Sequence, residues 1–167
     1  MKELLDIVNE SDEIIGKETR AKIHRDGLLH REIHVWFVTP NKEIIFQQRA
    51  KTKDTYPDLL DATVGGHVDL GMSYEATAIK EIEEETGLKI QPKELIFLRK
   101  IEKKSNDPVT KAINHAFQTE YAYIFKGNLT DLKIEKGEVD GFEAWSIDKL
   151  SNVNEQDRQK FIPNKLK

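Results

Sequence analysis

A short stretch with three carboxylates on one side of a helix places the tightest limit on this chain. In the run Lys80-Glu81-Ile82-Glu83-Glu84-Glu85-Thr86-Gly87-Leu88, Glu81, Glu84 and Glu85 stand at i, i+3 and i+4. At about 100° per residue they share one face. Like charges packed this way oppose helix formation, and a divalent cation would neutralise the cost. Hard oxygen ligands on a rigid element suit Mg²⁺ or Mn²⁺. Ser73 is an N-cap residue and Gly87 a C′ residue for this helix. Ala76, Ile79, Ile82 and Thr86 form its expected inward stripe, with the carboxylates off it. Upstream, Gly65-Gly66-His67-Val68 predicts a tight loop that needs positive φ or close backbone approach.

Around this helix the chain reads as mixed β and α. Leu4 to Val8 and Ile14 to Lys17 predict short strands around the turn Asn9-Glu10-Ser11-Asp12. His30 to Val38 alternates through Ile33, Val35 and Phe37 and stops at Pro40-Asn41, and Glu43 to Gln48 predicts its hairpin partner. Asp61 to Val64 predicts a short strand running into Gly65-Gly66. Leu95 to Glu102 and Ala116 to Phe125 predict long strands, and Phe142 to Ser146 a short one. Asp148 to Leu150 starts a helix that Asn152 ends. The periodicity supports an α+β or α/β sandwich.

Composition narrows the function classes. A chain of 167 residues, 38% hydrophobic and 34% charged, suits one soluble domain with a real core. A net charge of −4 argues against a general nucleic-acid or membrane binder. The absence of cysteine excludes disulfides, thiolate metal sites and a cysteine nucleophile. The segment Met1-Lys2-Glu3-Leu4-Leu5-Asp6 lacks the apolar stretch of a signal peptide, and no run approaches the roughly 18 apolar residues of a membrane span. A cytoplasmic location is the default expectation.

The central stretch resembles the Nudix box, the signature of the Nudix hydrolases: Gly, five residues, Glu, seven residues, then Arg-Glu-apolar-x-Glu-Glu-x-Gly-apolar. Gly66 takes the first place, and Glu81, Ile82, Glu84, Glu85, Gly87 and Leu88 all match. Met72 stands where the pattern has Glu, and Lys80 where it has Arg. Other segments resemble a branch related to isopentenyl-diphosphate isomerases: His24-Arg25-Asp26-Gly27, His30-Arg31, His34-Val35-Trp36, Gln48-Arg49-Ala50-Lys51, Tyr56-Pro57-Asp58 and Val64-Gly65-Gly66-His67. Glu138-Val139 and Glu143-Ala144-Trp145 resemble the late Glu and Trp of many Nudix proteins. The resemblance implies a single domain over residues 1–167, strongest over 24–150. It implies the Nudix fold, a mixed α/β (α+β) architecture with a mixed sheet held between helices.

It also implies an activity: Mg²⁺- or Mn²⁺-dependent cleavage of a diphosphate bond in a small nucleoside-diphosphate-type or related organic substrate by water. Glu81, Glu84 and Glu85 would be metal ligands and catalytic residues, with the Gly65 carbonyl facing the metal. Glu138 would be a late ligand or general base, and Gly66 and Arg49 would lie against substrate, Arg49 by bidentate contact with phosphate. Lys80 can neutralise but cannot grip two oxygens in a plane as Arg does. If the family's Glu and Arg brace each other, losing one relaxes the need for the other. Glu120 is expected to be structural. His24, His30, His34 and His67 are assigned to polar networks, because the Glu residues that accompany the metal-binding histidines of the isomerases are missing, and zinc is not expected. Trp36, Tyr56, Phe117 and Trp145 are assigned to the core, and residues 103–111 to a polar turn bordering the pocket. No nucleic-acid or membrane partner is implied; a homodimer is common in the family.

Two other readings follow from the departures. A binding or regulatory protein with weakened turnover would account for Met72 and Lys80. An isomerase would need a Cys just before the Gly-His pair and a Glu pair on a later strand. Here those places hold Gly65 and Asn114-His115-Ala116-Phe117, so that chemistry lacks its proton donor and acceptor.

Overall fold

The computed structural model describes residues 3–166; Met1, Lys2 and Lys167 lie outside them. The strand β3 (His30–Val38) organises the rest. It pairs in parallel with β8 (Ile113–Ile124) along its whole length, from His30 opposite Ala116 to Val38 opposite Ile124. On its other side its first half takes β6 (Val64–His67) and its last residues take β4 (Glu43–Arg49), both antiparallel. The strands β5 (Leu60–Asp61) and β9 (Val139–Ser146) both pair with β4, and β7 (Leu95–Asn106) forms the far edge beyond β8. A separate hairpin joins β1 (Leu4–Val8) to β2 (Ile14–Thr19). The result is the expected mixed α+β architecture.

Alternation along β3 decides the faces. Ile33, Val35 and Phe37 are fully buried with Ile45, Val64 and Ile82 in the main core, which Tyr121 also joins. The helix α2 (Tyr74–Thr86) supplies Ala78 and Ile82 to that core. A second cluster, Phe46, Leu60, Trp145 and Phe161, packs at the β4–β9 end. Asp12, at φ 60° in the hairpin turn, accepts from Arg31 Nε at 2.7 Å, the Tyr74 hydroxyl at 3.0 Å and Lys100 Nζ at 2.7 Å. One carboxylate thereby ties the hairpin to β3, α2 and β7.

The termini of α2 follow the sequence: Ser73 Oγ accepts from the Ala76 N–H at 3.1 Å, and Gly87 takes the left-handed conformation at φ 75°. The buried stripe is shifted, because Ala76 is exposed and Thr77 and Ala78 are buried instead. A helix at Arg20–Asp26, α1, was not expected. Its signals were present in Thr19, whose side chain accepts from Lys22 N–H, and in Gly27 at φ 66°. The predicted strand over Asp61 to Val64 is broken at Ala62-Thr63, and Gly65-Gly66 belong to β6. Residues 103–106 continue β7 rather than a turn; the turn begins at Asp107, whose Oδ1 accepts from the Val109 and Thr110 N–H groups at 2.9 and 2.6 Å. Two short helices close the chain, α3 (Ile147–Ser151) and α4 (Glu155–Arg158).

Ile82 is fully buried and joins α2 to the sheet. Ile82→Ala is expected to lower unfolding free energy by about 2–5 kcal/mol, read as a fall in the urea midpoint with unchanged m.

Candidate active site

Helix α2 lies over β6, and this crossing assembles the site. Glu81 packs against Gly66: a Cβ built there would stand 3.2 Å from the Glu81 carboxyl carbon. At Gly65 a Cβ would fall 2.9 Å from His34 Cδ2, a contact no side chain tolerates. Close approach therefore favours glycine at 65, and at 66 a side chain would displace the Glu81 carboxylate by a few tenths of an ångström; positive φ has no part in it, since neither is among the residues in that region. Glu85 reaches the neighbouring strand, where its Oε2 lies 3.5 Å from Gln47 Nε2.

The charge balance here is unfavourable for carboxylates alone. Burial pushes Glu85 well above the usual carboxylate range, and the charges of Glu81, Glu135 and Asp61 push it further. Burial also raises Glu81, with Glu84 and Asp69 adding to the rise and Lys80 opposing it. Acids held this close, with too little positive charge, form a site whose ionised state a cation would restore. Glu81 and Glu85 offer oxygen donors of the kind that Mg²⁺ or Mn²⁺ takes, while Glu84 is half-exposed and paired with Lys80 Nζ at 3.1 Å.

Lys80 is braced differently from the family pattern. Its Nζ lies 2.9 Å from Asp69, 3.1 Å from Glu84 and 3.4 Å from Glu81. Burial would lower Lys80, but hydrogen bonds to Asp69 and Glu84 and the charge of Glu81 raise it above its ordinary value. Asp69 thus supplies the carboxylate that Met72 does not, while the Met72 side chain packs against the main core. The sequence reading missed Asp69 because it stands three positions from the pattern's Glu.

Two expected residues have other partners. Arg49 donates from Nε to the Thr55 and Tyr56 carbonyls, each at 3.2 Å, and from Nη2 to the Thr55 carbonyl at 2.8 Å, with Asp61 3.6 Å from Nη1. Its guanidinium holds the loop between β4 and β5, which leaves no free fork for a bidentate phosphate contact. Glu138 is exposed and ion-paired with Lys53. Glu135, three residues earlier, is among the acids whose charge raises Glu85. Glu120 is satisfied as expected, accepting from Arg99 Nε at 2.8 Å and Gln118 Nε2 at 2.6 Å.

Three of the histidines come together. Ligand atoms of His24, His30 and His67 all lie within 4.8 Å of one another. His24 Nδ1 faces the Ile113 carbonyl at 3.3 Å and His30 Nδ1 the Leu28 carbonyl at 3.0 Å. The proton is therefore assigned to Nδ1 in both, which leaves Nε2 lone pairs pointing inward. His24 Nε2 stands 3.0 Å from His67 Nε2, and His30 Nε2 is buried without a hydrogen-bond partner. Glu32 Oε1 lies 3.6 Å from His67 Nε2 and 3.8 Å from His30 Nε2. The companion carboxylate missing from the later strand is supplied by β3 itself. Three imidazoles and a carboxylate are a donor set that fits a divalent transition metal, zinc included.

His34 lies apart from this cluster, its Nδ1 buried and unpartnered. Burial and the charge of Lys165 lower it from 6.5 to about 4. The unfolded chain therefore binds a proton here that the folded chain refuses, so stability falls as pH drops from about 6.5 towards 4. For one such group the loss between pH 7 and 5 is about 2 kcal/mol. In urea titrations at the two pH values, His34→Gln is expected to lose about 2 kcal/mol less than the parent.

Comparison with known proteins accords with this geometry. The NUDIX domain family matches residues 28–165. An uncharacterized Nudix hydrolase of Clostridium acetobutylicum is 31% identical over 98% of this chain and 76% of its own length. Nudix hydrolase 3 of Arabidopsis thaliana is also 31% identical, over 96% of this chain but only 21% of that longer protein. A crystal structure from Deinococcus radiodurans superposes with a TM-score of 0.68 at 23% identity, covering 90% of this chain and 88% of the other. The Nudix domain of Shewanella oneidensis NrtR, solved with ADP ribose, superposes at 0.57 with 14% identity over 82% and 89% of the two chains. With box carboxylates from α2 converging on the glycines of β6, and a domain match over most of its length, the chain belongs to the Nudix hydrolase family, whose members act on pyrophosphate bonds.

Proposed function

We propose that this protein is a Mg²⁺- or Mn²⁺-dependent hydrolase of a small organic diphosphate, with Glu81, Glu84 and Glu85 as its metal-binding and catalytic carboxylates. The observation that carries this reading is the convergence of Glu81 and Glu85 on Gly65-Gly66 with a surplus of negative charge. When bound, the cation neutralises phosphate oxygens and makes a water molecule a stronger acid. The chain's own residues do the rest. Gly66 leaves room for Glu81 against the backbone, and Gln47 Nε2 stands 3.5 Å from the Glu85 carboxylate. Lys80, clamped by Asp69, steadies Glu84. Glu81 takes the proton of the attacking water. No covalent intermediate is needed. Products are a phosphomonoester and a phosphate-bearing fragment, or free phosphate from a terminal diphosphate.

Asp69 favours turnover over a purely binding role, because it restores the brace whose loss at position 72 motivated the weakened reading. The isomerase reading has no structural support in a chain whose residue before the Gly-His pair is Gly65. ADP ribose, the ligand of the NrtR Nudix domain, is a diphosphate of the proposed class.

The test is phosphate release from nucleotides, nucleotide sugars, dinucleoside polyphosphates and isoprenoid diphosphates, with and without metal and with a coupled phosphatase. Metal-dependent release that falls at least about 100-fold in Glu84→Gln is expected. A folded, metal-supplied protein silent across the panel would sink the proposal. Asp69→Asn is expected to weaken metal binding by up to about fivefold, the range of an exposed ion pair, in a Mn²⁺ titration.

A further inference from the structure

Four ligating side chains outside the box meet in one place, and strand register brings three of them there. His30 and Glu32 stand two residues apart on β3 and share the face turned away from α2. Glu32 is the cross-strand partner of His67 on β6. The fourth, His24, comes from α1, a seven-residue helix whose only buried residue is Ile23. The three imidazole centroids form a nearly equilateral triangle, with sides of 5.1, 5.1 and 5.2 Å.

Hydrogen bonds within the group cannot satisfy it. The Nδ1 atoms of His24 and His30 face the Ile113 and Leu28 carbonyls, so each ring turns an Nε2 lone pair inward. Glu32 adds a carboxylate, which when ionised also only accepts. His67 Nε2 can carry one proton, and the acceptor in hydrogen-bond range of it is His24 Nε2 at 3.0 Å. The fully buried His30 keeps an Nε2 with no donor among the described residues. A buried lone pair without a partner is unfavourable, and a cation at the centre would take all four donor atoms at once.

The spacing fits such an ion. Zinc binds imidazole nitrogen at about 2.0–2.1 Å, which sets tetrahedral ligand atoms roughly 3.4 Å apart. Here His24 Nε2 lies 3.0 Å from His67 Nε2, and Glu32 Oε1 lies 3.6 Å from His67 Nε2 and 3.8 Å from His30 Nε2. Three imidazoles favour zinc or a similar transition metal over Mg²⁺, the harder ion suited to the oxygen donors of the box.

We propose that His24, His30, His67 and Glu32 form a closed tetrahedral site for zinc or a like divalent transition metal, which clamps α1 to β3 and β6. Four protein ligands leave no open position, so the ion is structural and not a second catalytic metal. His67 directly follows Gly66 on β6, so the same ion steadies the strand against which Glu81 packs. The site stands on its own donors and does not depend on the hydrolase reading.

The test is a Co²⁺ titration of the chelator-treated full chain followed by visible absorption, because tetrahedral cobalt absorbs far more strongly than octahedral cobalt on oxygen ligands. An intense band that saturates at one equivalent is expected, displaced by Zn²⁺ and retained in Glu85→Gln. Affinity is expected to fall at least about 100-fold in His24→Gln, the upper end of the loss seen when only an outer-shell partner of a metal ligand is removed. Glu32→Gln is expected to weaken binding at least about tenfold. Both positions are partly exposed, so these variants probe the site without disturbing the fully buried His30. Hydrogen exchange reads the clamp: Zn²⁺ is expected to slow exchange at the α1 amides in the parent and not in His24→Gln. No intense band, or a band kept in His24→Gln and lost in Glu85→Gln, overturns the site. Zinc binding that leaves α1 exchange unchanged overturns the clamp.

Discussion

The register of β3 is the constraint from which the rest follows. Its odd-numbered residues, Ile33, Val35 and Phe37, fill the core beneath α2, while His30, Glu32, His34 and Trp36 point the other way. A slip of one residue would drive Glu32 and His34 into the apolar core and expose Phe37, so the pairing with β8 has a single acceptable register. That register also positions β6, with Gly65 opposite His34 and Gly66 opposite Ile33. The two glycines then lie where the carboxylates of α2 arrive. A strand chosen for burial on one face thereby sets the site on one side and a charged surface on the other.

Electrostatics on the two sides differ. At the box the acids outnumber the cations, and burial makes the surplus expensive. Lys80 offsets part of it by bridging Asp69, Glu81 and Glu84. On the opposite face Glu120 is paired with Arg99 and Asp61 with Lys165. The histidine cluster is a third arrangement, with two Nδ1 protons committed to backbone carbonyls and the remaining nitrogens turned inward towards Glu32.

Much of the architecture was legible in local pattern. The strand from His30 to Val38, the caps of α2 at Ser73 and Gly87, and the common face of Glu81, Glu84 and Glu85 follow from periods of 2 and 3.6 and from capping chemistry. The helix at Arg20–Asp26 had its Thr and Gly signals but only one buried residue, Ile23, so there was no apolar stripe to announce it. Ala76 was misplaced because a small residue fits either face, and only the approach of β6 put Thr77 and Ala78 inward. Arg49 could be recognised as a cation after a strand, but not that the carbonyls of Thr55 and Tyr56 would occupy it.

By itself, then, the sequence determined the box, the helix that carries it, the alternation of the central strand and the lack of a thiol at Gly65. These depend on residue type and on spacing within a few turns or strand positions. Tertiary structure decided which charges meet. Asp69 rather than position 72 braces Lys80, Glu135 adds its charge to those around Glu85, Glu32 joins the histidines, and Lys165 pairs with Asp61. Such pairings join residues brought together by strand register and a folded-back tail. Coulomb interaction depends on distance through space and on burial, neither of which local periodicity records.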